Sequence, residues 1–306
     1  MKSVTIEKAP VVEPSAVVSS NSANGALLDF AELTKARLTM LVLLTTAVGY
    51  YLGAELVTLA ALFHAVFGTA LAAAGAAALN QWWEHRFDAL MHRTRMRPIP
   101  AGRMLPRDAA IVGGSLGAAG VLYLAVACNL LSAALAAATI AIYIFAYTPL
   151  KRLSTANTLV GAIPGALPPM IGWAAARDDL SLPAWSLFAI LFCWQMPHFF
   201  AIAWMYREDY ARAGFRMLSG ADLKGARSGR QSVLFAVFVT AASVTPALLG
   251  LTSPRFIALE LLLGAAFVAF AVRFYLQRSV DAARALFIAS IVYLPALLTT
   301  LVLTKS

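Results

Sequence analysis

Charge is what this sequence has least of. Only 13% of its 306 residues are Asp, Glu, Lys or Arg, against 60% hydrophobic, whereas a soluble domain usually carries about 25% charged and 45–50% apolar residues. A water-soluble globule is excluded, and a mean hydropathy of +0.75 agrees. Cysteine is nearly absent: Cys128 and Cys193 have no metal-type spacing, so neither a disulfide framework nor a zinc site is expected. The first 25 residues lack the basic-then-apolar pattern of a cleaved signal, and they hold Glu7 and Glu13 but no arginine, unlike a transit peptide. Long polar stretches are missing as well. The two longest loops, 80–107 and 206–231, are too short to bury a core of their own.

What is there is a series of apolar runs. Segments near 38–55, 58–79, 108–127, 130–149, 158–176, 184–205, 232–251, 255–272 and 284–303 are each long enough to cross a bilayer. The expectation is an all-α membrane protein, a bundle of nine transmembrane helices over 29–306, preceded by a disordered cytoplasmic tail over 1–28. The formal net charge of +9 does not point to nucleic acid, because the positive residues sort by side. All Lys and Arg except Arg177, Arg255 and Lys305 fall before the first span or in the loops after the even-numbered spans. The positive-inside rule then places the N-terminus in the cytoplasm and, with nine spans, the C-terminus outside. A bacterial inner membrane fits this multi-pass chain, in contact with membrane lipid.

The scarce charges gather in two loops. The first begins Asn80-Gln-Trp-Trp-Glu84-His-Arg-Phe-Asp88 and continues Arg93-Thr-Arg95-Met-Arg97-Pro-Ile-Pro-Ala-Gly-Arg103. On a helix, positions 80, 84 and 88 stack on one face over about 12 Å. Magnesium is usually held by one or two carboxylates plus the phosphates of a substrate, and this face supplies such oxygens. The same spacing also suits a membrane-end helix whose acids pair with His85 and Arg86. Arg93, Arg97 and Arg103 are fork-shaped donors suited to phosphate, joined by Lys151 and Arg152 from the next loop on that side. The second loop opens Tyr206-Arg-Glu208-Asp209-Tyr210-Ala-Arg212. Asp209 is its better candidate for meeting a metal or ordering an arginine, or else it is a solvated acid neutralised by Arg207 and Arg212.

Aromatic residues crowd the same membrane end, Trp82, Trp83, Tyr143, Tyr147, Phe199 and Tyr210 among them. Interfacial belts are their default role, yet ring faces also stabilise a carbocation without attacking it. His198, in Trp194-Gln-Met-Pro-His198-Phe-Phe, stands inside an apolar span where an ionisable group is costly. It suits either a ligand or proton role or a hydrogen bond between helices; His64 reads as structural. Glycines at helical spacing, Gly113, Gly117 and Gly120 or Gly161 and Gly165, would let helices approach closely. Transport would call for polar groups near the midplane and access from both faces, and the charges here lie at one mouth.

An ordered series of blocks resembles the UbiA-type intramembrane prenyltransferases and, within them, the protoheme IX farnesyltransferases (heme O synthases). The blocks are Leu33-Thr-Lys35-Ala-Arg37, the Asn80 to Arg103 segment, Tyr147-Thr-Pro-Leu-Lys151-Arg152, Asn157 to Trp173, Trp194 to Phe200 and Tyr206 to Gly214. The resemblance implies the UbiA-type prenyltransferase fold. It also implies transfer of a farnesyl group from farnesyl diphosphate to the 2-vinyl group of heme B, with addition of water, giving heme O. It makes Asn80, Glu84, Asp88 and Asp209 the catalytic and Mg²⁺-binding set. Arg93, Arg97, Arg103, Lys151 and Arg152 would bind the diphosphate, His198 would position heme, and arginines such as Arg212 or Arg216 would meet its propionates. Glu84 stands where the family commonly has aspartate, Ala213 where a second acid often follows Asp209, and Ala36 where proline is frequent. Handover of heme O to a heme A synthase or to oxidase assembly machinery is implied too. The alternative within the family is prenylation of an aromatic acid or quinone precursor.

Overall fold

The structure is a computed structural model that describes residues 23–306. An entry helix, Ala23–Leu33, leads into nine helices long and apolar enough to cross a membrane: Ala36–Gly53, Leu59–Asp88, Pro106–Ala127, Leu130–Leu153, Asn157–Arg177, Leu182–Met205, Ala226–Leu248, Pro254–Gln277 and Val280–Leu303. They are called the first to ninth spans below. Among the described residues there is no β-strand; an isolated bridge joins Thr252 to Lys305. The tail expected over 1–28 falls mostly outside the described residues, and its last six, 23–28, are the first turns of the entry helix.

The second span extends well past the expected 58–79. The Thr58 side chain caps its start by accepting from the Ala61 amide, and no proline interrupts the following 30 residues. At 1.5 Å per residue such a helix is about 45 Å long, against about 30 Å of hydrocarbon. Its last turns, 80–88, therefore stand beyond the apolar layer as continuous helix. The fourth span likewise continues to Leu153, so Lys151 is a helical residue rather than a loop one.

The fifth and sixth spans are the centre of the bundle, with 67% and 61% of their apolar windows buried, whereas the eighth has 22%. Between membrane helices lipid is as apolar as leucine, so close packing has to hold them together. Gly75 shows how: a Cβ there would collide with the backbone of Gly117, which lets the second and third spans touch backbone to backbone. Around the sixth span a large apolar core forms from Trp194, Phe267, Phe274, Leu286 and Leu294, joined by Val48 and Leu52 of the first span. The loops after the second and sixth spans meet at one end of the bundle, where the Asp209 carboxylate accepts from the Arg93 amide and Arg93 donates to the Tyr210 hydroxyl. That is the charged end.

Candidate active site

The stacked face of the second span is buried: Asn80, Glu84 and Asp88 are 1%, 4% and 1% exposed. Two carboxylates and an amide so placed demand partners, and each has one. Lys35 Nζ donates to Asn80 Oδ1 at 2.8 Å. Lys151 Nζ lies 2.7 and 2.9 Å from the two carboxylate oxygens of Glu84. Arg97 donates to Asp88 Oδ2 at 2.6 Å. Breaking a buried pair by removing one partner typically costs about 3–5 kcal/mol, because the other charge stays buried and alone. Asn80 also donates to the Thr148 hydroxyl, which in turn donates to the Tyr143 carbonyl.

The fourth span delivers its share through an irregularity. Residues Ile142–Tyr147 form a π-helix, a widening of the turn that is often found at functional sites. It leaves the Tyr143 and Tyr147 rings stacked at 5.4 Å with 26° between planes, and Lys151 Nζ 4.5 Å above the Tyr147 ring. Gly161 of the fifth span makes room: a Cβ there would lie 2.5 Å from Tyr147 Cε2.

These groups enclose a cavity of about 220 Å³ at the charged end, whose walls include Lys35, Arg93, Arg97, Tyr143, Tyr147 and Lys151 together with the three second-span residues. Phe199 and Met217 add apolar wall. Lys35, just before the first span, has its ammonium lowered to about 7 by burial first and then by Arg97 and Lys151 nearby. Arg97 is 20% exposed and Asp88 1%, so the arginine is reached from the mouth while the acid sits beneath it. An anion entering there meets cations first.

The remaining candidates lie elsewhere. Arg103 is taken up by Asp29 at 2.7 Å and Glu32 at 2.8 Å, fastening the entry helix to the loop, and does not line the cavity. Arg152 lies 4.5 Å above the Phe87 ring in a separate groove with Trp83 and Pro149. Asp209 is buried but off the cavity wall; its carboxylate pairs with Arg212 and receives the Arg93 amide, so it orders the arginine loop. Arg212 is exposed in that pair. His198 points to the ninth span: Nδ1 is 2.7 Å from the Ser290 hydroxyl, and the ring lies between Trp194 and Phe287. This is the hydrogen bond between helices, and it is Phe199, one residue on, that faces the cavity. His64, read as structural, is paired with the Tyr123 hydroxyl at 2.7 Å.

Sequence reasoning missed Lys35 as a wall of the site. A lone lysine at the start of an apolar span reads as a topology signal, and nothing local says that it reaches residue 80. Asn157 and Thr158 also line the cavity unannounced.

The donor set suits a hard cation. No three His, Cys, Asp or Glu side chains converge closely enough to cage an ion among the described residues. What the second span presents instead is an oxygen-only face of two carboxylates and an amide, the arrangement magnesium accepts when water and phosphate complete its shell. A helical bundle with acids and bases around one mouth can take an anionic ligand and a hard cation together.

A sequence model of the UbiA prenyltransferase family matches residues 42–294, and the chain belongs to that family. The protoheme IX farnesyltransferase of Solibacter usitatus is 45% identical over 287 residues, covering 90% of this chain and 98% of that protein. That of Koribacter versatilis is 39% identical, covering 97% and 99%. Among solved structures, a digeranylgeranylglyceryl phosphate synthase superposes with a TM-score of 0.76 at 13% identity, covering 92% of this chain and 98% of that one. A UbiA homolog from Archaeoglobus fulgidus bound to GPP and Mg²⁺ gives 0.66 at 15% identity, over 90% and 100%. These structures share the fold.

Proposed function

We propose that this multi-pass membrane protein transfers a farnesyl group from farnesyl diphosphate to the 2-vinyl group of heme B, with addition of water, to make heme O. The carrying observation is likeness to protoheme IX farnesyltransferases across nearly the whole chain, 39% identical over 97% of it in one case. The cavity agrees, since its cations suit a diphosphate and its tyrosines suit the cation left when that group departs.

Lys35, Arg93, Arg97 and Lys151 bind and orient the diphosphate. Three of them are already held by Asn80, Asp88 and Glu84, so the incoming anion exchanges partners within a network that is in place. Asn80, Glu84 and Asp88 would hold Mg²⁺, and Asp209 would support the site by ordering Arg93. When bound, the metal supplies charge neutralisation of the leaving diphosphate. Departure of diphosphate leaves an allylic cation beside the stacked faces of Tyr143 and Tyr147, which stabilise it without competing as nucleophiles. The terminal vinyl carbon of heme B attacks the allylic carbon, and the new cation beside the porphyrin ring takes up water and loses a proton. Diphosphate is the leaving group throughout, and apolar walls such as Phe199 and Met217 keep bulk water from the first cation.

The distribution of Lys and Arg supports a cytoplasmic charged end and N-terminus, with the C-terminus outside. Product would pass within the membrane to an enzyme or assembly factor that uses heme O. To test the reading, purified protein in lipid is given farnesyl diphosphate, Mg²⁺ and heme B, and the heme is examined by mass spectrometry. A hydroxyethylfarnesyl adduct is expected. An unmodified heme, with an aromatic acid prenylated instead, would sink it.

A further inference from the structure

The turn between the entry helix and the first span carries three local costs at once. Lys35 has φ 50° and ψ 47°, left-handed backbone that a residue with a side chain rarely adopts. Its ammonium leaves water to sit 2.8 Å from Asn80 Oδ1 and 3.5 Å from the Tyr143 hydroxyl. Gln81, the residue after Asn80, is fully buried, and its Oε1 has no hydrogen-bond partner among the described residues. Features of this kind weaken a fold, and they persist chiefly at functional sites, where the surroundings hold them in place.

Gln81 is what holds this turn. Its Nε2 donates to the carbonyls of Glu32 at 2.7 Å and Leu33 at 2.9 Å, among the groups that a helix end leaves without α-helical partners. Asn80 and Gln81 thus grip the chain on both sides of the turn, one by the Lys35 side chain and the other by the peptides just before it. Two further contacts fix the same helix. Arg103 donates to the carboxylates of Asp29 at 2.7 Å and Glu32 at 2.8 Å, and Leu33, 0% exposed, packs with Ala78 and Ile99. Lysine is a strongly hydrated charge on a flexible stem. On a loose backbone it would turn to water at the membrane surface.

We infer that Gln81 and Arg103 are positioning residues for diphosphate binding, which clamp the entry helix so that Lys35 is presented to the cavity. The inference rests on the reading of the cavity as a diphosphate site and adds what keeps Lys35 in it. Neither residue lines that cavity, so each acts through the lysine. The orphaned Oε1 of Gln81 fits this role, because only the donor end of the amide is used. Arg103 works from the opposite side of the entry helix, and two acids there match its fork. The entry helix is then part of the enzyme's diphosphate machinery and not only a membrane-surface segment.

The test is a double-mutant cycle on the full-length protein in phosphatidylcholine vesicles, with the KM for farnesyl diphosphate as readout. Lys35→Met should raise that KM about tenfold, the scale of a lost charge-assisted bond. Gln81→Leu should raise it by a similar factor, and the KM for heme B should hold in both. Lys35→Met/Gln81→Leu should be no worse than Lys35→Met alone, since residues that act through one another do not add. Arg103→Gln, near the surface, should shift the same constant by a smaller factor and have no effect once Lys35 is gone. If Gln81→Leu does not fold, Arg103→Gln carries the cycle by itself. Multiplication of the single effects, a normal KM for farnesyl diphosphate in any single variant, or an equal rise in the KM for heme B would overturn the assignment. If the unmodified protein prenylates no heme, the functional reading fails separately. The same cycle is then run on the Kd for farnesyl thiodiphosphate with Mg²⁺ by calorimetry, and additive effects or absent binding there would overturn the inference as well.

Discussion

Lys151 and Lys305 are both lysines near the end of a membrane span, and the molecule uses them in opposite ways. Lys151 holds both carboxylate oxygens of Glu84 and faces a cavity. Lys305, at the other end of the bundle, donates to the carbonyls of Tyr51 and Ala54, at 2.6 and 2.5 Å, closing the C-terminus of the first span. The same division runs through the other charges. Arg177 reaches the Gly53 carbonyl and lies near Glu55 and Asp179. The Trp173 N–H, bonded to Asp179, keeps that carboxyl below its ordinary range. Charges at this end are spent on backbone and on each other. At the charged end they pair in direct contact on the wall of a cavity, so an incoming anion and cation can take over their partners.

The sharpest break between the two ends should come from Asp88→Asn. It removes a charge from the wall of the cavity while keeping the shape, and turnover should fall by about 10²–10³-fold, the scale of lost electrostatic stabilisation at a transition state. Membrane insertion and thermal stability should hold, because the released Arg97 reaches solvent; normal heme O formation would end the assignment. Lys151→Met comes next, and it mixes the two roles. Glu84 is left buried without its cation, a loss of about 3–5 kcal/mol, read as a drop in unfolding midpoint in detergent. Adding Glu84→Gln should restore the stability and not the activity. If both return, the pair is structural only.

Gly161→Ala tests the π-helix and its rings. The new methyl must push Tyr147 from its stack with Tyr143, and kcat should fall about tenfold, each tenfold being about 1.4 kcal/mol of barrier, with little change in stability. The smallest effect should be Lys305→Met. Loss of charge-assisted bonds to carbonyls costs about 1.5–3 kcal/mol, seen as a lower melting temperature with unchanged kcat. A change in heme O formation there would erase the contrast between the two ends.

Much of this was legible in the chain. Nine apolar runs give nine spans because bilayer thickness sets a length that composition alone reveals. The face of Asn80, Glu84 and Asp88 follows from helical geometry at four-residue spacing. Pairing did not follow, because it depends on which helices are neighbours. Arg93, Arg97 and Arg103 look alike in sequence, yet one lies over tyrosines, one meets Asp88 and one fastens the entry helix. His198 and Phe199 are adjacent and face different ways by the turn of a helix.

By itself, then, the sequence determined the membrane class, the number of spans, the sorting of charge to one side and the acidic face on the second span, since each depends on local composition or on the period of a helix. Tertiary structure decided that Lys35 reaches Asn80, that Asp209 serves Arg93 from outside the cavity, that His198 of the sixth span bonds to Ser290 of the ninth and that Arg227 and Arg230 come to rim an apolar groove. Those outcomes turn on contacts between residues far apart in the chain. Only the packing of one helix against another sets them.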